Sequence, residues 1–157
     1  MDLRELVRRA SHLAVGEVTR DIEVGPLRLI EVKTLRGAAG AQVGQPFTYL
    51  ERPRPRTEFP GERIGTTELV FLKALHDREV TPSLMKTLRR YGMDASLVCR
   101  LAAPDEARWL VERQRNPWLA IPPARVALPR PIFRGGHGVS VDMLLPQIDA
   151  LRRAGGR

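Results

Sequence analysis

The sequence predicts an α+β fold in which an N-terminal helix and a β-hairpin are followed by a helical cluster, a proline-rich arm and a C-terminal helix. Three observations carry this reading. Apolar spacing is helical at both ends of the chain and in its middle, it alternates with period two over residues 17–24, and Gly-Pro, Pro-Arg and multi-proline stretches separate these segments. At 157 residues the chain can bury one sizeable core. A single domain is therefore expected, with a strand-containing front section over residues 1–50, a basic Pro/Arg connector over 51–65, a helical cluster over 66–115, and the arm with its last helix over 116–157.

Over residues 2–14, Leu3, Leu6, Val7, Ala10 and Leu13 recur at helical spacing behind Asp2, and Gly16 is expected to close that helix. Val18, Ile22 and Val24 then alternate with Glu17, Thr19, Asp21 and Glu23, as in a half-buried strand. Gly25-Pro26 breaks the strand and Leu27 to Leu35 supply its hairpin partner. Residues 37–46 read as a loop before a short element at Phe47 to Leu50. Alternating proline and arginine in Arg52-Pro-Arg-Pro-Arg56 excludes a helix and favours an extended, solvated segment.

Four helices are expected between 66 and 115. Thr66 or Thr67 caps one reaching His76, with Leu69, Leu72 and Leu75 on its buried side. Thr81 caps the next and Pro82 fits its first position, with Leu84, Leu88 and Tyr91 on one face, cations Lys86, Arg89 and Arg90 near the carboxyl end, and Gly92 as the stop. Asp94 opens a short third carrying Leu97, Val98 and Leu101, and Pro104-Asp-Glu begins a fourth carrying Trp109 and Leu110 to about Arg115. Five prolines between 116 and 134 make an extended arm. Gly135-Gly-His-Gly138 is a turn, and Asp142 caps a last helix with Leu144, Leu145, Ile148 and Leu151, Pro146 falling in its first turn.

The net charge of +8 favours a polyanionic partner, nucleic acid or an acidic protein. Basic residues outnumber acidic ones by seven to six in 1–50, thirteen to ten in 51–115 and six to two in 116–157, so the excess lies in the second half. All but Lys33, Lys73 and Lys86 are arginines, whose planar forks suit phosphate and carboxylate. No apolar run approaches bilayer length, so no membrane partner is expected and the reading is cytoplasmic. Cys99 is the single cysteine, which excludes an internal disulfide and a multi-cysteine zinc site. His12, His76 and His137 show no metal-ligand spacing, and no cofactor is expected.

The helix pair across Gly92 resembles the core of a helix-turn-helix DNA-binding unit, with Tyr91-Gly92-Met93 as the turn. Ser96, Val98, Arg100 and Leu101 fall where such motifs carry a polar residue, a buried aliphatic, a basic residue and a second aliphatic, and Leu88 stands where the family carries alanine. The resemblance covers residues 81–101 and implies that Ala95, Ser96, Cys99 and Arg100 face outward. Phosphate contacts would then come from Arg54, Lys86, Arg89 and Arg90, and base contacts from Ser96 or Arg100. The leading expectation is thus a basic nucleic-acid-binding protein, with duplex DNA as the expected target. An alternative is a noncatalytic interaction module or adaptor presenting the Trp109 and Trp118 region.

Asp21, Glu31 and Lys33 form D-x9-E-x-K, which looks like the core of the PD-(D/E)XK nucleases, and Gln45-x3-Tyr49 is reminiscent of an added motif in their exonuclease branch. The resemblance implies a magnesium ion held by Asp21 and Glu31, with Lys33 steadying the attacking water. Hairpin register decides whether this is possible. A two-residue loop pairs Asp21 with Ile30 and sends Asp21 and Glu31 to opposite faces, whereas a longer loop or a bulge brings Asp21, Glu31 and Lys33 to one side.

Overall fold

The computed structural model describes residues 1–38, 41–52, 63–129 and 138–155. Among them the order is α1 (Leu3–Arg9), β1 (His12–Val24), β2 (Leu27–Ala38), β3 (Pro46–Glu51), β4 (Thr67–Ala74), α2 (Pro82–Arg90), β5 (Val98–Leu101), β6 (Arg108–Glu112), β7 (Leu119–Ile121), β8 (Val139–Ser140) and α3 (Val141–Ala154). The protein is mostly strand, and five of the strands close a barrel. β1 pairs with β2, β2 with β3, β3 with β5, β5 with β4, and β4 returns to β1; only β3 and β5 run parallel. The helical cluster expected over 66–115 is not formed.

Closure depends on β1, which pairs with β4 through His12–Glu17 and with β2 through Leu13–Val24. A strand serving two neighbours must bend, and β1 does so at register shifts after Val15 and after Val18. Gly16 sits at the first shift, where a Cβ would lie 2.8 Å from the Lys33 carbonyl oxygen. Gly16→Ala is therefore expected to lower stability by about 1–3 kcal/mol, because backbone cannot move aside as a flexible side chain can. A urea midpoint equal to that of the parent would show that β2 yields without cost.

The hairpin takes the short loop. Val24 pairs with Leu27 and Asp21 with Ile30. Only Gly25, at the first central position, has positive φ, 56°, as a type II′ turn requires, and proline suits the second. α1 is shorter than expected, ending at Arg9, because Leu13 and Gly16 belong to β1.

Of the segments expected as helices that form strands instead, β4 is buried on both faces. It carries an unbroken buried run from Thr67 to Leu72, and α1 packs against it. Such a run shows no alternation, so leucines at 69, 72 and 75 mimic a helical stripe. Residues 95–97 make a single 3₁₀ turn, and 98–101 continue as β5, not as a second helix. Residues 108–112 form β6, which takes over the edge of β4 at Thr67–Val70 next to the Leu72–Ala74 stretch used by β5. β7 and β8 extend the sheet from there.

One large core reaches from Leu3 to Ile148 and contains fully buried Trp109, whose ring lies 5.4 Å from Phe71 and whose Nε1–H donates to the Glu106 carbonyl at 2.8 Å. The arm runs beside the N-terminus, where Leu3 N donates to Ala127 O and Ala127 N to Met1 O. A smaller cluster joins Leu84 and Leu88 of α2 to Val24, Leu29, Leu50 and Val98, so α2 lies on the outer face of β2, β3 and β5. This helix forms where expected, with Thr81 accepting from Leu84 N and Gly92 beyond its end at φ 66°. Pro146 is the sixth residue of α3, beyond its first turn. No helix among the described residues is long and apolar enough to cross a membrane.

Candidate functional site

Two polar assemblies stand out, one outside the barrel and one inside. The outer one is built by α2 and the strands it leaves uncovered. Because Leu84 and Leu88 face the barrel, Lys86, Arg89 and Arg90 are exposed, and Tyr91, closing the helix, is 42% exposed. Two concavities flank this end of the helix. One, about 520 Å³, is walled by Arg20, Asp21, Ile22, Ile64, Arg90 and Tyr91. The other, about 250 Å³, is walled by Arg20, Glu31, Thr48, Tyr91, Met93 and Leu97 among others. Tyr91 and Arg20 belong to both, and the Arg90 guanidinium lies 5.8 Å from the Tyr91 ring centre. Ile64 and Leu97 are about half exposed here, at 53% and 52%. Glu31 accepts from the Thr19 hydroxyl at 2.9 Å and lies 3.7 Å from Arg20 Nε.

Of the residues expected to touch nucleic acid, the structure therefore gathers Lys86, Arg89 and Arg90 on one helix. Ser96 and Arg100 are not presented on a recognition helix. The Ser96 amide and hydroxyl both donate to Asp94, at 2.9 and 2.8 Å, which holds the Asp94 carboxyl below its usual range. Arg100 lies in β5 and pairs with Glu79 at 3.6 Å. Arg54, like most of the Pro/Arg tract, lies outside the described residues.

The nuclease-like triplet is taken apart by the hairpin register. Asp21, paired with Ile30, points into the barrel, where Arg28 Nε donates to it at 2.9 Å; Glu31 and Lys33 fall on the outer face. Asp21 and Glu31 therefore cannot share a magnesium ion. Tyr49, the other end of the added motif, is fully buried.

The inner assembly was not expected from the sequence. On the interior face of the barrel, Tyr49 and Arg63 meet Glu51, Glu68 and Arg108. The Tyr49 hydroxyl donates to Glu68; Arg63 donates to Tyr49 Oη at 2.6 Å, to both Glu68 oxygens at 3.3 Å and to Glu51; and Arg108 Nε donates to Glu68 at 2.5 Å. Asp21 and Arg28 add a further buried ion pair on the same interior face. Burial pushes the Tyr49 phenol well above its ordinary value, with the Glu68 charge adding to the effect. Burial also raises the Glu51 carboxyl, although Arg63 opposes this. At Arg108 burial works against the charged form, but the charge and hydrogen bond of Glu68, with Tyr49 beside it, leave the guanidinium above its ordinary value. The signal that could have disclosed this network is Glu68, a lone carboxylate heading the apolar run Leu69–Leu72.

A pH dependence follows from Tyr49. Its folded-state value is raised, so its contribution to stability is complete below the unfolded value of about 10 and declines as pH climbs above it. Tyr49→Phe is expected to cost about 1–3 kcal/mol at neutral pH, through lost buried hydrogen bonds, and to flatten the alkaline decline. Urea unfolding from neutral to strongly alkaline pH measures both; parallel alkaline limbs for the two proteins would be inconsistent with this assignment.

Comparison with protein-family models, curated proteins and solved structures finds no match to this chain.

Proposed function

We propose that the protein binds single-stranded nucleic acid across the outer face of the barrel, beside the end of α2. The observation that carries this reading is Tyr91, an exposed aromatic on the ridge between two concavities with Arg20 and Arg90 in their walls. Proteins that hold single strands combine base stacking on aromatic side chains with cations tracking the backbone. Five-stranded Greek-key barrels of the oligonucleotide- and oligosaccharide-binding kind receive ligand on the β2–β3 face and the β1–β2 and β4–β5 connections. Here α2 is the β4–β5 connection and covers Leu29 and Leu50, while Glu31 and Thr48 line the concavity beside Tyr91. Lys86, Arg89 and Arg90 suit phosphates, and the Glu31 and Asp94 carboxylates suit base N–H groups. The duplex-reading helix pair has lost its second member to β5, which is why a single strand is preferred.

Fluorescence anisotropy with a labelled single-stranded oligonucleotide tests the proposal. Tyr91→Ala is expected to weaken binding by about tenfold or more, the scale of one base stacked on an aromatic ring. Absence of binding at low salt, or a Tyr91→Ala variant that binds like the parent, would overturn the reading.

A second reading, an acidic protein partner, is favoured by the concavity of about 820 Å³ formed by Leu110, Arg113, Arg115, Trp118 and Ile121 among others. Leu110 is 49% exposed there. The guanidiniums of Arg36 and Arg113 lie 3.9 and 5.0 Å from the Trp118 ring centre. Stoichiometric copurification of a protein, with indifference to nucleic acid, would replace the first reading with this one.

A further inference from the structure

A fourth concavity, of about 590 Å³, lies between the two terminal helices, far in sequence from the residues just described. Its volume is within the range of small-molecule sites. Val7, Ala10 and Leu151 give it an apolar lining, and Arg4, Arg8 and Arg152 are its charged members. Among the described residues no carboxylate lines it. Glu5 is turned to Arg9 at 2.7 Å and to Arg8 at 3.7 Å. The Nη1 of Arg152 is sealed from solvent and has no hydrogen-bond partner among the described residues. A guanidinium N–H so placed is stabilised by any acceptor that reaches it, and an anion satisfies both its hydrogen bond and its charge.

We propose that this cleft binds an amphipathic anion, a carboxylate or phosphate head on Arg152 with Arg4 and Arg8 beside it, and an apolar tail on Val7, Ala10 and Leu151. Three arginines without a lining carboxylate select the head. The aliphatic floor selects the tail, because a small hydrated anion gains nothing from it. The site is independent of the α2 face.

Isothermal titration of the full chain with octanoate, octyl phosphate, octanol, acetate and inorganic phosphate tests this. Octanoate or octyl phosphate is expected to bind one per chain at least tenfold more tightly than the other three, and whichever of the two is tighter identifies the head. Arg152→Met is expected to weaken that binding about tenfold. It should also leave the thermal midpoint of the free protein unchanged or raised, since it removes an unpartnered buried donor. Octanol matching octanoate would remove the anion from the proposal, and inorganic phosphate matching octyl phosphate would remove the tail. No saturable binding, or an Arg152→Met protein that melts earlier than the parent, would overturn it outright.

Discussion

Glu68→Ala is expected to destabilise the protein by about 3–5 kcal/mol, the cost typical of breaking a buried ion pair from one side. Glu68 is fully buried and accepts from Tyr49, Arg63 and Arg108, whose guanidinium side chains are only 3% and 8% exposed. Its removal takes away the carboxylate that Arg63 and Arg108 both reach. Since small domains have roughly 5–15 kcal/mol in total, such a loss brings the variant near unfolding at ambient temperature. Glu68→Gln keeps acceptor oxygen for Arg108 but not the charge, and should fall between parent and alanine variant. Replacing the pair together, Glu68→Met with Arg108→Met, should recover some of the loss because fewer charges remain buried. Chemical denaturation of the four proteins decides the matter. An alanine variant within about 1 kcal/mol of the parent would mean that water replaces the carboxylate, contrary to the burial described above.

Raising salt from about 50 to about 200 mM should weaken single-strand binding by about fiftyfold, on the basis of about four phosphate contacts and a slope of about −0.7 per contact. The four are Lys86, Arg89, Arg90 and Arg20, all exposed around the end of α2. Arg90→Ala should lower the steepness of the salt dependence by about one contact's worth, whereas Tyr91→Ala should lower affinity with little change in slope, because stacking releases no counterions. The two variants thus separate charge from stacking. A flat dependence on salt, or equal changes of slope in both variants, would contradict the assignment.

What could be read in the sequence was local. α2 is specified by its own residues, with Thr81 as cap, Pro82 opening the helix and Gly92 beyond its end, and the hairpin by alternation on either side of Gly25-Pro26. Closure of the barrel was not readable, because its decisive pairings join β1 to β4 and β3 to β5, distant in the chain. β4 passed for a helix since burial on both faces erases the period of two, and β5 because Leu97, Val98 and Leu101 also fit a short amphipathic turn; β6 does alternate, but over only five residues behind a Pro104-Asp-Glu stretch that also suits a helix start. At the site, the cap and stop signals put Lys86, Arg89 and Arg90 towards the carboxyl end of α2, and in the structure all three are exposed. The partners that make a groove of it, Arg20, Thr48 and Ile64, come from distant segments of the fold and carry no local mark.

The brevity of β5 has a consequence for how this barrel breathes. Ladders of three residues tie it to β3 on one side and to β4 on the other, so it is the most thinly fastened stave of the wall. Cys99, the single thiol of the chain, sits in the middle of the wall's shortest strand, 8% exposed when the wall is shut. Each loosening of that stave uncovers a sulfhydryl with no second cysteine in the same molecule to trap it, so the excursion closes again unmarked unless another molecule is there to react.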